Sequence, residues 1–439
     1  MNNSFNKILL NTIFILISLP LFPQELLTLD DAIALGLKSN YSIQVARNNA
    51  DTAKIHNFIG NAGMLPQVNL SATGKDAGNN MQQDYATPNT PELKKSGVHS
   101  DALTYGANLN WTLFDGFNMF ATLKELQVFE DMGDINAKIA IETTVSFIID
   151  AYFDVVRQKE LAKNIRDAIK IYDEKLTIAD KKFNLGSGSR LDYLQSKVDL
   201  NVQKINLIKQ VTNFANAKIA LNQLLSRSED IDFNVADTIP ITYMPSIDEL
   251  KKTIFQQNTS LQLSEKNIRI SKITLKQFQS LRYPNLSVGL GYNFSKTDNA
   301  AGPTLLNQNT GFGPSFNITY NIFNGFTLNH FIRNAKLNIQ SYNLEFNDAK
   351  LQVSSNLLKA YKTYQTDLEA LKLIEENYDL AKETVTVALE RYRLGASSAL
   401  DLSVAQQSYE DAENAVILAR YDAKVAETEL LCLNGQLVR

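Results

Sequence analysis

The chain has 439 residues, 44% hydrophobic and 21% charged, the composition of a folded protein with room for a large core or two domains. A net charge of −4 with the signs mixed leaves no basic patch for nucleic acid, one cysteine (Cys432) excludes an internal disulfide framework, and His56, His99 and His330 are too far apart for a metal site. With no Gly-rich phosphate loop and no nucleophile constellation, the chain is expected not to be an enzyme and to need no cofactor or metal.

Near the N-terminus Lys7 precedes an apolar run over residues 8–22, broken by Asn11, Thr12, Ser18 and Pro20, after which Pro23-Gln24-Glu25 begins polar sequence. That outline predicts a secretory signal peptide at 1–24. A membrane anchor helix is the alternative, disfavoured because the run falls short of the ~20 apolar residues that span a bilayer. No cysteine follows to accept a lipid, and no later run reaches about 18 apolar residues. If the rest of the chain crosses a membrane, it does so without helices.

Residues 26–64 read as helix, with Asp30 and Asp31 near the start and Ile33, Leu35, Leu37, Ile43 and Val45 as apolar positions. Asn40-Tyr-Ser-Ile-Gln44 returns as Asn258-Thr-Ser-Leu-Gln262, an interval of 218 (258 − 40) that Pro66 and Pro284 keep. Further on the interval is 209, as between Gly186 and Gly395 (395 − 186), so the first copy holds nine extra residues (218 − 209), expected in a surface loop. The chain is therefore read as a duplication, with one repeat at 25–235, a linker at 236–245 closing the acidic, proline-punctuated stretch 226–245, and a second repeat at 246–439.

Each repeat next turns β in character. Leu286, Val288, Leu290, Tyr292 and Phe294 alternate with small polar residues, as do Phe316, Ile318, Tyr320 and Ile322; the first copy matches with Val68, Leu70 and Ala72, then Leu103, Tyr105, Ala107, Leu109, Trp111 and Leu113. A soluble sandwich strand would alternate in the same way. Length, polar loops expected at 75–101 and 296–311, and aromatic residues at the strand ends (Trp111, Phe114, Tyr320, Phe323) favour transmembrane barrel strands. Four strands cannot close a barrel, and open edges are not tolerated in lipid. Several chains must share one barrel.

Trp111-Thr-Leu-Phe-Asp-Gly-Phe117 and Tyr320-Asn-Ile-Phe-Asn-Gly-Phe326 end the strand pairs in turns. Residues 118–184 and 327–393 contain no proline and only Gly133, which predicts two helices of about 100 Å each. Heptads join Val155, Ala162, Ile169, Leu176 and Phe183, with Ile165, Tyr172 and Ala179 interleaved; their counterparts are Tyr364, Leu371, Tyr378, Val385 and Tyr392, with Ile374, Ala381 and Ala388. This is coiled-coil spacing. A helix stop, Leu-Gly, and small polar caps follow in Lys182-Phe-Asn-Leu-Gly-Ser-Gly-Ser-Arg-Leu-Asp192 and Arg391-Tyr-Arg-Leu-Gly-Ala-Ser-Ser-Ala-Leu-Asp401, before return helices at 191–225 and 400–433.

Strand, strand, long helix, tight Gly turn and return helix, twice over, resemble the TolC family of outer-membrane efflux proteins across nearly the whole chain. The resemblance implies an α+β membrane protein: a transmembrane β-barrel shared between protomers, four strands each, with a long coiled-coil α-helical barrel, built from two tandem repeats. It implies a homotrimer of twelve strands in outer-membrane lipid, helices crossing the periplasm, and docking to a periplasmic membrane-fusion adaptor coupled to an inner-membrane pump. Such a chain is the exit duct of a tripartite efflux or type I secretion system.

The resemblance also carries residues over. Gly186 and Gly395 match the glycines of the two hairpin turns, flanked by Lys182, Leu185, Arg391 and Leu394 as in the adaptor-contacting motif. Asp401 matches an acidic ring at the closed periplasmic entrance, and Tyr392 and Asp192 a pair that holds it shut by hydrogen bonding between hairpins. Ser397 stands where the best-known member of the family has a second gating arginine, and Val404 where it has a second acidic ring residue. The plainer reading of Asp192 and Asp401 is as helix N-terminal acids stabilised by the macrodipole. The competing function is a periplasmic coiled-coil scaffold or adaptor with a soluble β domain.

Overall fold

The structure is a computed structural model that describes residues 26–437; the expected signal peptide lies outside them. The elements run α1 (Leu29–Ser39), α2 (Tyr41–His56), β1 (Gln67–Gln83), β2 (Leu93–Asp115), α3 (Asn118–Asn184) and α4 (Arg190–Leu224), then α5 (Ile247–Gln257), α6 (Thr259–Ser280), β3 (Asn285–Asn299), β4 (Leu306–Thr319), α7 (Thr327–Arg393) and α8 (Ala399–Leu433). The helices α3 and α7 have 67 residues each, and α4 and α8 have 35. Gly133 survives inside α3 because α2 lies against it: a Cβ there would stand 3.1 Å from Ala53 Cβ and 3.2 Å from Ala50 Cα.

The single helix expected over 26–64 is two helices and a turn. Asn40 breaks it: its side-chain oxygen accepts from the amides of Ser42 (2.9 Å) and Ile43 (3.2 Å), competing with the helical ladder, while its amide donates to Leu224 O at 2.8 Å. Asn258, at the repeated position, caps α6 through Leu261 N at 3.1 Å.

Two compact units draw on both halves of the chain. One holds the described residues up to Ile43, Ile141–Leu250 and those from Leu357 on; the other holds Gln44–Ala140 and Lys251–Asn356. In the first, Val145, Ile148, Tyr152, Phe153 and Val156 of α3 pack against Leu221 and Leu225. The stretch expected to be a linker belongs to this core. Phe233, Val235 and Ile239 are buried in it, Leu27 N donates to Asn234 O (2.9 Å), and the Tyr152 hydroxyl donates to Leu27 O (3.1 Å). Apolar residues spaced between its acids dock an otherwise polar segment, and Lys159, 2.8 Å from Asp237, holds that carboxyl below its usual range.

The heptad stripe packs as expected: Val155, Ala162, Tyr172 and Ala179, and Tyr364, Val385 and Tyr392, are buried. Phe183 departs, remaining exposed at the end of α3 and stacking on Tyr193, centroids 6.1 Å apart. Beside this core, burial and the charge of Glu429 push the Asp150 carboxyl up to about 6. A raised acid pKa means that the folded chain binds the proton more tightly between the unfolded value of 3.8 and about 6. Stability should therefore fall as pH rises through that window. Asp150→Asn is expected to flatten this part of the melting-temperature profile, and an unchanged slope would remove Asp150 from its cause.

In the second unit the four strands form one antiparallel sheet in the order β1-β2-β3-β4. Register aligns the faces across it: Val68 with Leu109, Leu109 with Leu290, and Leu290 with Pro314 on one side; Asn69 with Asn108, Asn108 with Gly291, and Gly291 with Gly313 on the other. Contacts confirm the assignment. Tyr105 stacks on Phe294 (4.8 Å) and Tyr292 meets Phe312 (4.9 Å) on the apolar side, and Asn293 donates to Asn108 (3.3 Å) on the polar side.

The strands are longer than expected at the hairpin ends. The loops expected at 75–101 and 296–311 shrink to 84–92 and 300–305, because ladder pairing continues to Gln83↔Leu93 and Asp298↔Leu306 after apolar alternation stops. Alternation marks an apolar face, whereas backbone pairing needs none. At the other end β4 stops at Thr319, not Ile322, since Thr319 already pairs with Asn285, where β3 begins. The Asp-Gly-Phe and Asn-Gly-Phe turns then put Gly116, Phe117, Gly325 and Phe326 in the left-handed region, with φ of 71, 72, 63 and 62°.

Candidate functional site at the paired helical turns

Two turns of one design close the hairpins α3–α4 and α7–α8. After α3, Gly186 takes φ +72°, donating to Phe183 O (3.0 Å), while Ser187 and Gly188 donate to Lys182 O (2.9 Å each). After α7, Gly395 takes φ +76°, donating to Tyr392 O (3.1 Å), and Ala396 donates to Arg391 O (2.8 Å). This is the left-handed helix stop that glycine permits without strain. No atom lies within 4 Å of where a Cβ on either glycine would stand, so both present open backbone. Ser189 and Ser398 cap the return helices, Ser398 in a reciprocal capping box with Asp401.

The flanking leucines are left largely uncovered by the described residues: Leu185 is 81% and Leu394 80% exposed. Leu191 and Leu400, which the sequence pairs across the two repeats but does not mark as site residues, are exposed to nearly the same degree. They sit one residue before the matched acids Asp192 and Asp401, and their repetition at the 209-residue interval (400 − 191) was a signal available in the sequence.

Asp401 is held by the cap. Its Oδ2 accepts from Ser398 N (3.0 Å) and Ser398 Oγ (2.8 Å), and these bonds, with the charge of Arg391, keep its carboxyl below the usual range. It is anionic at neutral pH and exposed at the start of α8. Asp192 and Tyr392 lie near each other: the Asp192 charge and, more strongly, burial push the Tyr392 phenol up. No hydrogen bond joins them; Tyr392 is engaged from another side. Lys182 places Nζ 4.0 Å from the centre of its ring and donates to its carbonyl oxygen at 2.5 Å, tying α3 to α7. Lys182, Asp192 and Tyr392 line a cleft of about 710 Å³ with Ser397, whose buried hydroxyl has no hydrogen-bond partner among the described residues, while Val404 is exposed on α8.

Two further links between hairpins escaped the sequence reading. Arg393 pairs with Glu174 of α3. Lys175, 1% exposed, places Nζ 2.8 Å from Asp199 Oδ2 on α4 and 2.5 Å from Ser403 Oγ on α8. Lys175 stands next to the heptad position Leu176, where a lysine normally faces water, so nothing local marked it. Among the described residues no group of three or more His, Cys, Asp or Glu could hold a metal.

The site is polar, built from two matching turns, and shaped for contact between helices. The chain matches the profile of the family described as outer membrane efflux protein over residues 32–227 and 250–436. It is 23% identical over 420 residues to the probable efflux pump outer membrane protein TtgC of Pseudomonas putida, covering 92% of this chain and 81% of that one. It is 19% identical to the alkaline protease secretion protein AprF of Pseudomonas aeruginosa, covering 94% and 87%. The CmeC outer membrane channel of Campylobacter jejuni superposes with a TM-score of 0.74 at 19% identity, covering 93% of this chain and 85% of that one, a likeness of fold. The paired turns, long helices and amphipathic sheet are thus those of a known kind of protein, and the chain belongs to the outer membrane efflux protein family.

Proposed function

We propose that the chain is one third of an outer-membrane exit duct, passing substrate received from an adaptor and an inner-membrane pump through a tunnel of helices and a barrel of strands. The observation that carries this is the sheet. Its apolar side chains form one unbroken face over all four strands, while β1 and β4 are each paired on one side only. From Leu286 to Phe294 that face spans about 25 Å at 3.3 Å per residue, a barrel's lipid band. No helix among the described residues is long and apolar enough to cross a membrane, so the sheet is the element suited to lipid. Open edges in lipid are untenable, and copies of the same sheet joined β4 to β1 remove them.

The helices support the same assembly. Leu358 on α7, then Leu373, Leu380, Val387 and Leu394 at heptad spacing, are exposed, as are Leu191, Leu194, Val198, Ile205 and Ile208 on α4. These stripes would be covered by neighbouring protomers in a homotrimer of twelve strands. Matched lengths of α3 with α7 and α4 with α8 support a tandem duplication, which lets three chains make a ring of six similar hairpins. The exposed leucines and open glycines of the turns then face the adaptor, with Lys182 and Arg391 beside them, and Asp192, Tyr392 and Asp401 ring the entrance. TtgC is named for efflux and AprF for protease secretion, and both cargo classes are compatible with this duct.

The test is the detergent-corrected mass of protein extracted from outer membranes. A trimer soluble only in detergent is expected; a monomer stable in plain buffer would mean that the strands never enter lipid.

A further inference from the structure

We propose that the hairpin end of the barrel is a cationic exit, lined by Lys75 and Lys95, that favours anionic cargo. This rests on the duct reading, in which the polar face of the sheet lines the lumen. Strand register divides the charged residues of the four strands between the two faces. Lys75 pairs with Ala102, which pairs with Thr297, which pairs with Asn307, the continuation of the Asn, Ser and Gly rows of the polar face. Beyond the irregularity between Asn79 and Met81, Lys95 pairs with Met81, which keeps the parity of Lys75 along β1. Gly97, at φ +67° and donating to the Asn80 side chain, absorbs the extra residue on β2, so the face does not flip.

The carboxylates of the strands above the apolar band fall on the opposite face. Asp76 pairs with Asp101, and Asp101 with Asp298, in one row. Their contacts stay on that face: His99 lies 3.4 Å from Asp76, and Lys296 pairs with Asp298 at 2.6 Å. Asp84 and Glu92 stand in the turn beyond the strands, and from the apolar band to the hairpins the polar face carries only Asn, Ser, Thr, Gln, Gly and a few apolar residues around the two lysines; Asp115, the carboxylate this face does carry, lies at the far end of β2 opposite Asn285. At the hairpin end the lumen face thus carries positive charge alone, while the carboxylates stand on the outer face together with Lys94 and Lys296.

Three copies would give two rings of three lysines in a passage with low-dielectric walls, an arrangement that raises the local anion concentration and repels cations. Asp401 does the reverse at the other mouth. The duct would therefore hold a negative ring where cargo enters and positive rings where it leaves, drawing an anionic or zwitterionic solute through the barrel.

Reversal potentials in planar bilayers under a KCl gradient test this with the full chain in its assembled form. An Asp401→Asn background, whose amide can still cap α8, removes the entrance ring. In it Lys75→Gln with Lys95→Gln is expected to raise the potassium-to-chloride permeability ratio at least about threefold, and Lys296→Gln, on the outer face, to leave it unchanged. A ratio unmoved by the double substitution, or moved equally by Lys296→Gln, overturns the exit while leaving the duct standing. Absence of any ion current from the unsubstituted chain overturns both. Independently of substitutions, inositol hexakisphosphate should block the unsubstituted channel at lower concentration from the hairpin side than from the helical side; equal block from the two sides defeats the proposal.

Discussion

Lys175→Met is expected to destabilise the chain by about 3 kcal/mol, the low end for a buried ion pair broken on one side. The substitution keeps the volume and leaves Asp199, at 20% exposure, without its cation. Gln195, which donates to Asp199 Oδ1 at 2.8 Å, is a neutral partner and cannot replace it. Ser403 suffers less, because its hydroxyl still donates to Ala399 O at 3.0 Å. The cost should therefore come from the stranded carboxylate, and Lys175→Met combined with Asp199→Leu should recover most of it. Urea midpoints of the detergent-solubilised chain would report both numbers. A single-variant loss below about 0.5 kcal/mol, with no coupling in the cycle, would reduce the network to a surface pair. Since Lys175 joins α3 to α4 and α8, its loss should also loosen one hairpin from the other.

That network shows where sequence reasoning stopped. Proline-free runs with sustained heptads specify long helices on their own, and α3 and α7 end where the Leu-Gly stops predicted. Strand faces were equally legible, because Val288, Leu290 and Tyr292 alternate with residues too small to confuse the pattern. Strand ends were not: past Phe294 and Leu103 the side chains are polar on both faces, and only the backbone ladder, invisible in a sequence, carries the hairpin on. The repeated Asn40 and Asn258 were visible as a match but not as caps, since capping shows only once the flanking amides have positions. Phe233, Val235 and Ile239 were hidden inside an acidic stretch whose average character is that of a linker. At the turns, spacing located the left-handed helix stops at Gly186 and Gly395 and put Asp401 in the first turn of α8, but which side chain grips Tyr392 depends on the approach of α3 to α7, a contact 210 residues apart.

In the proposed duct, Lys182→Met is expected to open the entrance more than any change at Asp192 or at the Tyr392 hydroxyl. Lys182 makes two contacts across the hairpins, a charge-assisted hydrogen bond to the Tyr392 carbonyl and a cation–π contact with its ring. Together they are worth roughly 2 kcal/mol per chain at a half-buried site, which is more than tenfold in the balance between clasped and released hairpins. Tyr392→Phe keeps both contacts, because a phenyl face still attracts an ammonium and the backbone carbonyl is untouched; it should change little. Tyr392→Leu keeps only the carbonyl bond and should fall between the two. Single-channel conductance of the reconstituted chain orders the three variants, with Lys182→Met highest. The reverse order, a tight Lys182→Met channel and a leaking Tyr392→Phe with Asp192→Ala, would mean that a tyrosine–aspartate hydrogen bond forms in the assembled duct and that the lysine clasp plays no part in closing it.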